Sequence, residues 1–255
     1  MRYAYAAFDS LADPPLRVAG KLAIPPSLTA EAPGPAVLIC HGSDGVDGRG
    51  EFYAPALQDA GIATFEIDMW AARGVARGAA ARPSSPIQTL PDAYGAKAFL
   101  AAQPEIDGER IGIMGFSWGG VVTMLSAIGR HAPASPFKAH AANYPVCWVY
   151  RRNPALALGG LTGAPILLQT GSADTYDDPD AGEQLVASLA AEDARHVRLI
   201  THPGAGHGFD RDLPPQTIND PAAHNGAGGP VLMEFHPEAA ARSRDAVASF
   251  FREAL

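Results

Sequence analysis

The sequence predicts an α/β protein built on a doubly wound, mostly parallel sheet flanked by helices. Three observations carry that prediction. Short apolar runs alternate with longer helical patterns along nearly the whole chain, as βαβ units of one sheet require. Runs such as 36–40 are apolar at every position, which suits strands covered on both faces. No linker or internal repeat divides the chain, so residues 1–255 are expected to form one domain, with no insertion long enough for a large lid domain.

The elements follow in order. Residues 17–24 end at Pro25-Pro26 and read as an early strand, and 27–35 is a Pro-rich loop. The buried strand 36–40 runs into His41-Gly42-Ser43. A helix over 53–60 stops at Gly61, a strand follows over 62–67, and a Gly/Arg/Ala loop occupies 68–86. A helix over 91–102 leads to a strand over 110–114, bounded upstream by the turn formers Asp107-Gly108. Further strands are expected at 139–144, 166–170 and 196–201, and helices at 181–191 and from Pro237 onward.

Composition narrows the class. Hydrophobic content of 47% with 18% charged residues describes a globular chain. A formal net charge of −8 argues against nucleic acid as a partner, which usually needs a basic face. No stretch approaches the roughly 18–20 apolar residues that span a bilayer, and no secretory signal is evident, so no membrane partner and a cytoplasmic location are expected. Cys40 and Cys147 cannot make a disulfide framework. No closely spaced His/Cys/acid cluster suggests a metal, and no cofactor is expected. The oligomeric expectation is a monomer or homodimer.

The chemistry is concentrated in Gly115-Phe116-Ser117-Trp118-Gly119, a G-x-S-x-G run where a strand pattern turns abruptly into a helix pattern. Such a turn holds a serine with its hydroxyl exposed at the carboxyl edge of a sheet, in a backbone that only small neighbours permit. Ligands of open α/β sheets collect at that edge, and three more strand-end loops reach it. Asp174 follows strand 166–170, with Asp177, Asp178 and Asp180 as alternative acids. His207 sits between glycines after strand 196–201, with His202 five residues earlier as its rival.

The order Ser117, Asp174, His207 suits a base that takes the serine proton and an acid that orients the base. The backbone N–H groups of Ser43 and Trp118 are the candidate oxyanion hole, and His41 reads as a structural residue shaping that turn. Losing one such donor typically costs roughly 10²–10³ in rate. The rim at 145–162 contributes Trp148, and Tyr144 and Trp148 are candidate substrate-binding residues. The Gly/Pro-rich loop 210–229 directly follows His207 and is expected to be a flap beside the site.

With these residues placed, the chain resembles the α/β-hydrolases, and more narrowly the dienelactone hydrolase family, over nearly its whole length. The resemblance rests on Ile39-Cys40-His41-Gly42, Glu66-Ile67-Asp68-Met69-Trp70, the run from Ile111 to Gly120, and Pro203-Gly204-Ala205-Gly206-His207-Gly208-Phe209. It implies the α/β-hydrolase fold and the Ser117, Asp174, His207 triad. Two departures stand out. The family's namesakes carry a cysteine nucleophile where this chain has Ser117, and a glutamate on the loop occupied here by His41-Gly42. Both favour serine esterase chemistry on a small ester or lactone over the namesake reaction. The resemblance also implies a substrate-carboxylate arginine after strand 62–67, and Arg73 falls near that place. Other readings of the same triad are acyl transfer, thioester or peptide cleavage, or a non-catalytic binding protein on a hydrolase fold.

Overall fold

The structure, a computed structural model, describes residues 1–75, 78 and 81–255. The chain runs through β1 (Arg2–Asp9), β2 (Arg17–Ile24), β3 (Gly34–Cys40), α1 (Arg49–Asp59), β4 (Ala63–Asp68), α2 (Leu90–Ala101), β5 (Ile106–Phe116) and α3 (Trp118–Ser126). It continues through β6 (His140–Asn143), α4 (Trp148–Arg152), β7 (Ile166–Gly171), α5 (Ala181–Ala187), the single turn α6 (Ala191–Ala194) and β8 (Val197–His202). The hairpin strands β9 (Gln216–Asp220) and β10 (Gly229–Met233) enclose the turn α7 (Ala223–Gly226), and α8 (Pro237–Ala254) closes the fold.

Eight strands form one sheet in the order β1-β2-β4-β3-β5-β6-β7-β8. The pairings β1/β2 and β2/β4 are antiparallel, and those from β4 through β8 are parallel. This is the expected doubly wound arrangement, and among the described residues no large lid domain interrupts it.

Alternation along the strands fills two cores, because successive strand side chains point to opposite faces. Ala36, Leu38 and Cys40 of β3 and Ile166 and Leu168 of β7 pack under α2 and α3. Val37, Ile39 and Leu167 point the other way and meet Tyr53 and Leu57 of α1 and Val247 and Phe251 of α8. Each such fully buried aliphatic or aromatic side chain stabilises by about 1.5–3 kcal/mol.

Four local readings change. The sequence reading left residues 2–9 unassigned; they form the edge strand β1, whose side chains are mostly exposed and so carry no clear apolar alternation. α1 begins at Arg49, four residues before the expected start, and carries Pro55 inside it. The expected helix 181–191 splits into α5 and α6 around residues 188–190. The 210–229 loop is not irregular throughout: β9 lies within it, and β9 pairs antiparallel with β10. The expected 68–86 loop lies partly outside the described residues; within them it contains a short 3-10 turn at Ala71–Arg73.

Candidate active site

The placement of Ser117 follows from two close approaches. Ser117 has φ 51°, ψ −110°, a left-handed backbone rare for a residue with a side chain. The chain can turn there because Gly115 and Gly119 nearly touch: a Cβ on Gly115 would lie 2.2 Å from the Gly119 carbonyl oxygen. A Cβ on Gly119 would lie 2.1 Å from the carbonyl oxygen of Cys40. The second contact seats the start of α3 directly against the end of β3. The Ser117 turn and the His41-Gly42-Ser43 turn are therefore held together.

Three sequence-predicted side chains meet at this edge. Ser117 Oγ lies 2.8 Å from His207 Nε2, and His207 Nδ1 lies 2.8 Å from Asp174 Oδ2. A carboxylate only accepts, so the Nδ1 hydrogen of His207 donates to Asp174 and Nε2 is left to accept from the Ser117 hydroxyl. The other Asp174 oxygen accepts from the Tyr176 backbone N–H at 2.9 Å. Asp174 and His207 are 7% and 2% exposed, so their interactions are little diluted by solvent. The imidazole lies between two aromatic rings, Tyr176 at 4.0 Å and Tyr144 at 4.9 Å between centroids.

The rival residues have other partners. Asp177 accepts from the backbone N–H groups of Cys147 and Trp148 at 2.6 and 2.7 Å, at the start of α4. Burial, then the Asp174 charge, push its carboxyl up to about 6. Asp178 accepts from the Asn225 amide and Asp180 from the Gln184 amide. His202 is hydrogen-bonded to Gln169 at 2.9 Å, and burial brings its pKa down to about 4. His41 donates from Nδ1 to the Gly42 carbonyl and accepts at Nε2 from the Met69 N–H. Burial brings it to about 4 as well, which suits a neutral ring bracing the turn.

Both candidate oxyanion donors lie on residues that border the same cavity as Ser117. Trp118 is the first residue of α3 and its N–H has no intrahelical acceptor. Among the described residues the Ser43 N–H has none either. The α3 N-terminus adds a partial positive charge on the same side. The Trp118 indole is packed against Trp70 at 5.6 Å and donates to Thr89 Oγ1, so it also forms part of the pocket wall.

Two expected substrate-binding residues are corrected. Arg73 donates to both oxygens of the fully buried Asp92 at 2.6 and 3.1 Å, and to the carbonyls of Met69 and Gln88. Both terminal nitrogens are thus engaged inside the protein. Tyr144 points away from the cavities: it sits at φ 39°, is 1% exposed, and its hydroxyl meets Asp210 and accepts from Arg49. Its role is to back His207. Trp148 does line the cavity, with its indole N–H on the Ala222 carbonyl and its ring against Gly226.

Sequence reasoning missed Arg82, Asp220 and Tyr176. Arg82 donates to Ser43 Oγ at 2.6 Å and, through both terminal nitrogens, to Asp220 at 2.7 Å. Its guanidinium also lies 5.3 Å from the Trp118 ring centroid. This pair ties the β9–β10 hairpin to the oxyanion turn. Burial, then the Asp220 charge, push the Tyr176 phenol well above its ordinary range, so it remains neutral beside His207. Only its spacing two residues after Asp174 could have singled out Tyr176; nothing local marks Arg82 or Asp220.

A mostly parallel sheet with Ser, Asp and His in that chain order on the loops after β5, β7 and β8 defines a protein of the α/β-hydrolase fold. The sequence profile of the dienelactone hydrolase family matches residues 19–255. The chain belongs to that family. An uncharacterised protein of Mycobacterium tuberculosis is 31% identical over 195 residues, covering 70% of this chain and 65% of its own length. This chain thus spans just under two thirds of that relative.

Among solved structures, a dienelactone hydrolase-like promiscuous phosphotriesterase from metagenomic libraries superposes with TM-score 0.68 at 22% identity, over 100% of this chain and 99% of its own. Thermogutta terrifontis esterase 2, phosphorylated by paraoxon, gives 0.67 at 14% identity over 96% and 91%. At these identities the superpositions establish the fold. Among the described residues no helix is long and apolar enough to cross a membrane, and no group of three or more His, Cys, Asp or Glu is placed to hold a metal ion.

Proposed function

We propose that this protein is a serine hydrolase that cleaves small carboxylic esters or lactones through an acyl-enzyme on Ser117. The observation that carries this reading is the unbroken chain of hydrogen bonds from Ser117 through His207 to Asp174, 2.8 Å at each step. Family membership and the esterase and phosphotriesterase among its structural neighbours support it.

In the first half of the reaction the Ser117 oxygen bonds to the acyl carbon while its proton passes to His207 Nε2. The carbonyl oxygen takes up negative charge in the hole formed by the Ser43 and Trp118 N–H groups. The tetrahedral species then expels the alcohol, whose oxygen receives the proton from His207. In the second half water attacks the acyl carbon, gives its proton to His207, and Ser117 leaves as the restored hydroxyl. Asp174 stabilises the imidazolium each time and keeps the Nδ1 hydrogen in place. The Tyr176 and Tyr144 rings fix the plane in which the imidazole works.

A fluorophosphonate probe tests the reading, because it reacts only with an activated serine. Native protein is expected to gain the mass of one probe less hydrogen fluoride and to hydrolyse nitrophenyl acetate, and Ser117→Ala is expected to lose both. Absence of labelling in the native protein, or labelling that persists in Ser117→Ala, would sink it.

A further inference from the structure

Ser117 stands where two cavities of different character meet. One, about 290 Å³, is walled by Trp118, Val121, Val146, Trp148, Val149 and Leu156. The other, about 340 Å³, is faced by Asp44, Arg49, His207, Asn219 and Asp220. Ser43, Ser117 and Tyr176 border both.

Most of the polar groups of the first chamber already have partners. Arg82 is committed to Ser43 and Asp220, and the Asn153 side chain accepts from the Ala155 N–H. An anionic acyl group would find no uncommitted cation there, whereas an apolar one would replace water against hydrocarbon and indole. At roughly 30 Å³ per non-hydrogen atom, a value taken from the volume share of water, the chamber holds roughly ten such atoms.

The second chamber has the opposite demand. Among the described residues the Asp44 carboxylate makes no hydrogen bond, its nearest cation being Arg211 at 3.6 Å, and the Asn219 amide has no partner. Asp220 is already committed to Arg82, so the acceptors this wall offers to hydroxyl donors are the Asp44 carboxylate and the Asn219 amide oxygen.

Chemistry orients the substrate between the two. The leaving alcohol must receive its proton from His207 Nε2, and His207 borders the second chamber and not the first. Resting on the serine-hydrolase reading, we propose that the substrate class is an ester of a compact, uncharged apolar acid with a hydroxylated alcohol. The acyl group lies against Trp148 and Leu156, and the alcohol lies against Asp44 and Asn219.

The test uses 2,3-dihydroxypropyl hexanoate, its reversed isomer hexyl 2,3-dihydroxypropanoate, and propyl hexanoate, which lacks the hydroxyls. The first is expected to exceed both others in kcat/KM by about tenfold or more, as hydrogen bonds to a charged group allow. Asp44→Ala is expected to shrink the dihydroxypropyl-to-propyl ratio towards one. Leu156→Trp is expected to shrink the hexanoyl-to-acetyl ratio. Fluorophosphonate labelling of the same preparation separates the two levels of inference. Labelled protein that favours the reversed isomer, or whose ratio ignores Asp44→Ala, overturns the chamber assignment and leaves the hydrolase reading standing. Unlabelled native protein overturns both.

Discussion

The strand-end loops that carry Ser117, Asp174 and His207 are fixed differently from the hairpin that carries Asp220. The former are laced by main-chain hydrogen bonds: the Ser117 N–H donates to the Asn143 carbonyl, that of Asp174 to Gly171, and that of Ala173 to Ala205. The Ala173 bond ties the acid's loop directly to the base's loop. The hairpin lies outside the main sheet, paired only within itself. What holds it over the site is mostly side chains: the Arg82 fork on Asp220, the apolar packing of Val231 and Met233 against Val146 and Tyr176, and the Trp148 indole on Ala222, with main-chain bonds from His224 and Asn225 at its tip. Alignment that chemistry needs to within a fraction of an ångström is thus given to backbone, and pocket shape is given to parts that substitution can readily change.

The largest effect should come from the backbone-fixed side. Asp174→Asn cannot hold the Nδ1 hydrogen as a carboxylate does, and kcat for nitrophenyl acetate should fall by about 10⁴, as for the equivalent change in serine proteases. Thermal unfolding should change little. A fall of less than tenfold would move the orienting acid elsewhere and blur the contrast between the two regions.

Next come two arginines on the same connection. Arg73→Met strands the fully buried Asp92 carboxylate, and breaking such a pair typically costs about 3–5 kcal/mol. Urea unfolding should show that loss, while KM values for acidic and neutral esters move together. Arg82→Met should cost less than half as much, because the hairpin can turn Asp220 towards water. It should instead raise KM by about tenfold, or about 1.4 kcal/mol. Equal stability losses in the two variants would mean that the hairpin is as firmly built as the sheet.

The different outcomes for Arg73 and Arg82 show where sequence reasoning reaches its limit. The strands, the nucleophile turn and the order of Ser117, Asp174 and His207 are legible because each rests on local pattern: a buried run, a Gly-flanked turn, a strand end. Arg73 is suggested by the family resemblance and by its distance from β4, and neither says anything of Asp92, which arrives from α2. Arg82 meets Asp220 from 138 residues away, and Tyr144 meets Asp210 through a hydroxyl pointing away from the pocket. Such pairings depend on how loops cross in space. The edge strand β1 escaped for another reason: with one face and one edge in solvent, its sequence has little apolar alternation to read.

The effect confined to one pH range separates stability from catalysis. Glu66 on β4 is 8% exposed, and burial, then the Asp47 and Glu51 charges, push its carboxyl from the ordinary 4.5 up to about 7, against the opposing pull of Lys21 and Arg49. The folded protein therefore holds this proton more tightly than the unfolded chain does. Folding takes up a proton between about pH 4.5 and pH 7, and the associated stability falls as pH rises through that window. His41, His140 and His202, each brought down to about 4 from 6.5, act in the opposite sense, gaining stability as pH rises over 4–6.5. Above pH 7 only the Glu66 penalty remains of these. Glu66→Gln should therefore be the more stable protein at pH 8, by at most about 3 kcal/mol at about 1.36 kcal/mol per pKa unit, and indistinguishable from native at pH 4.5. Because Glu66 touches neither the triad nor the two chambers, the pH profile of kcat should not move. A shifted kcat profile in Glu66→Gln would show that the body of the sheet and the site titrate together.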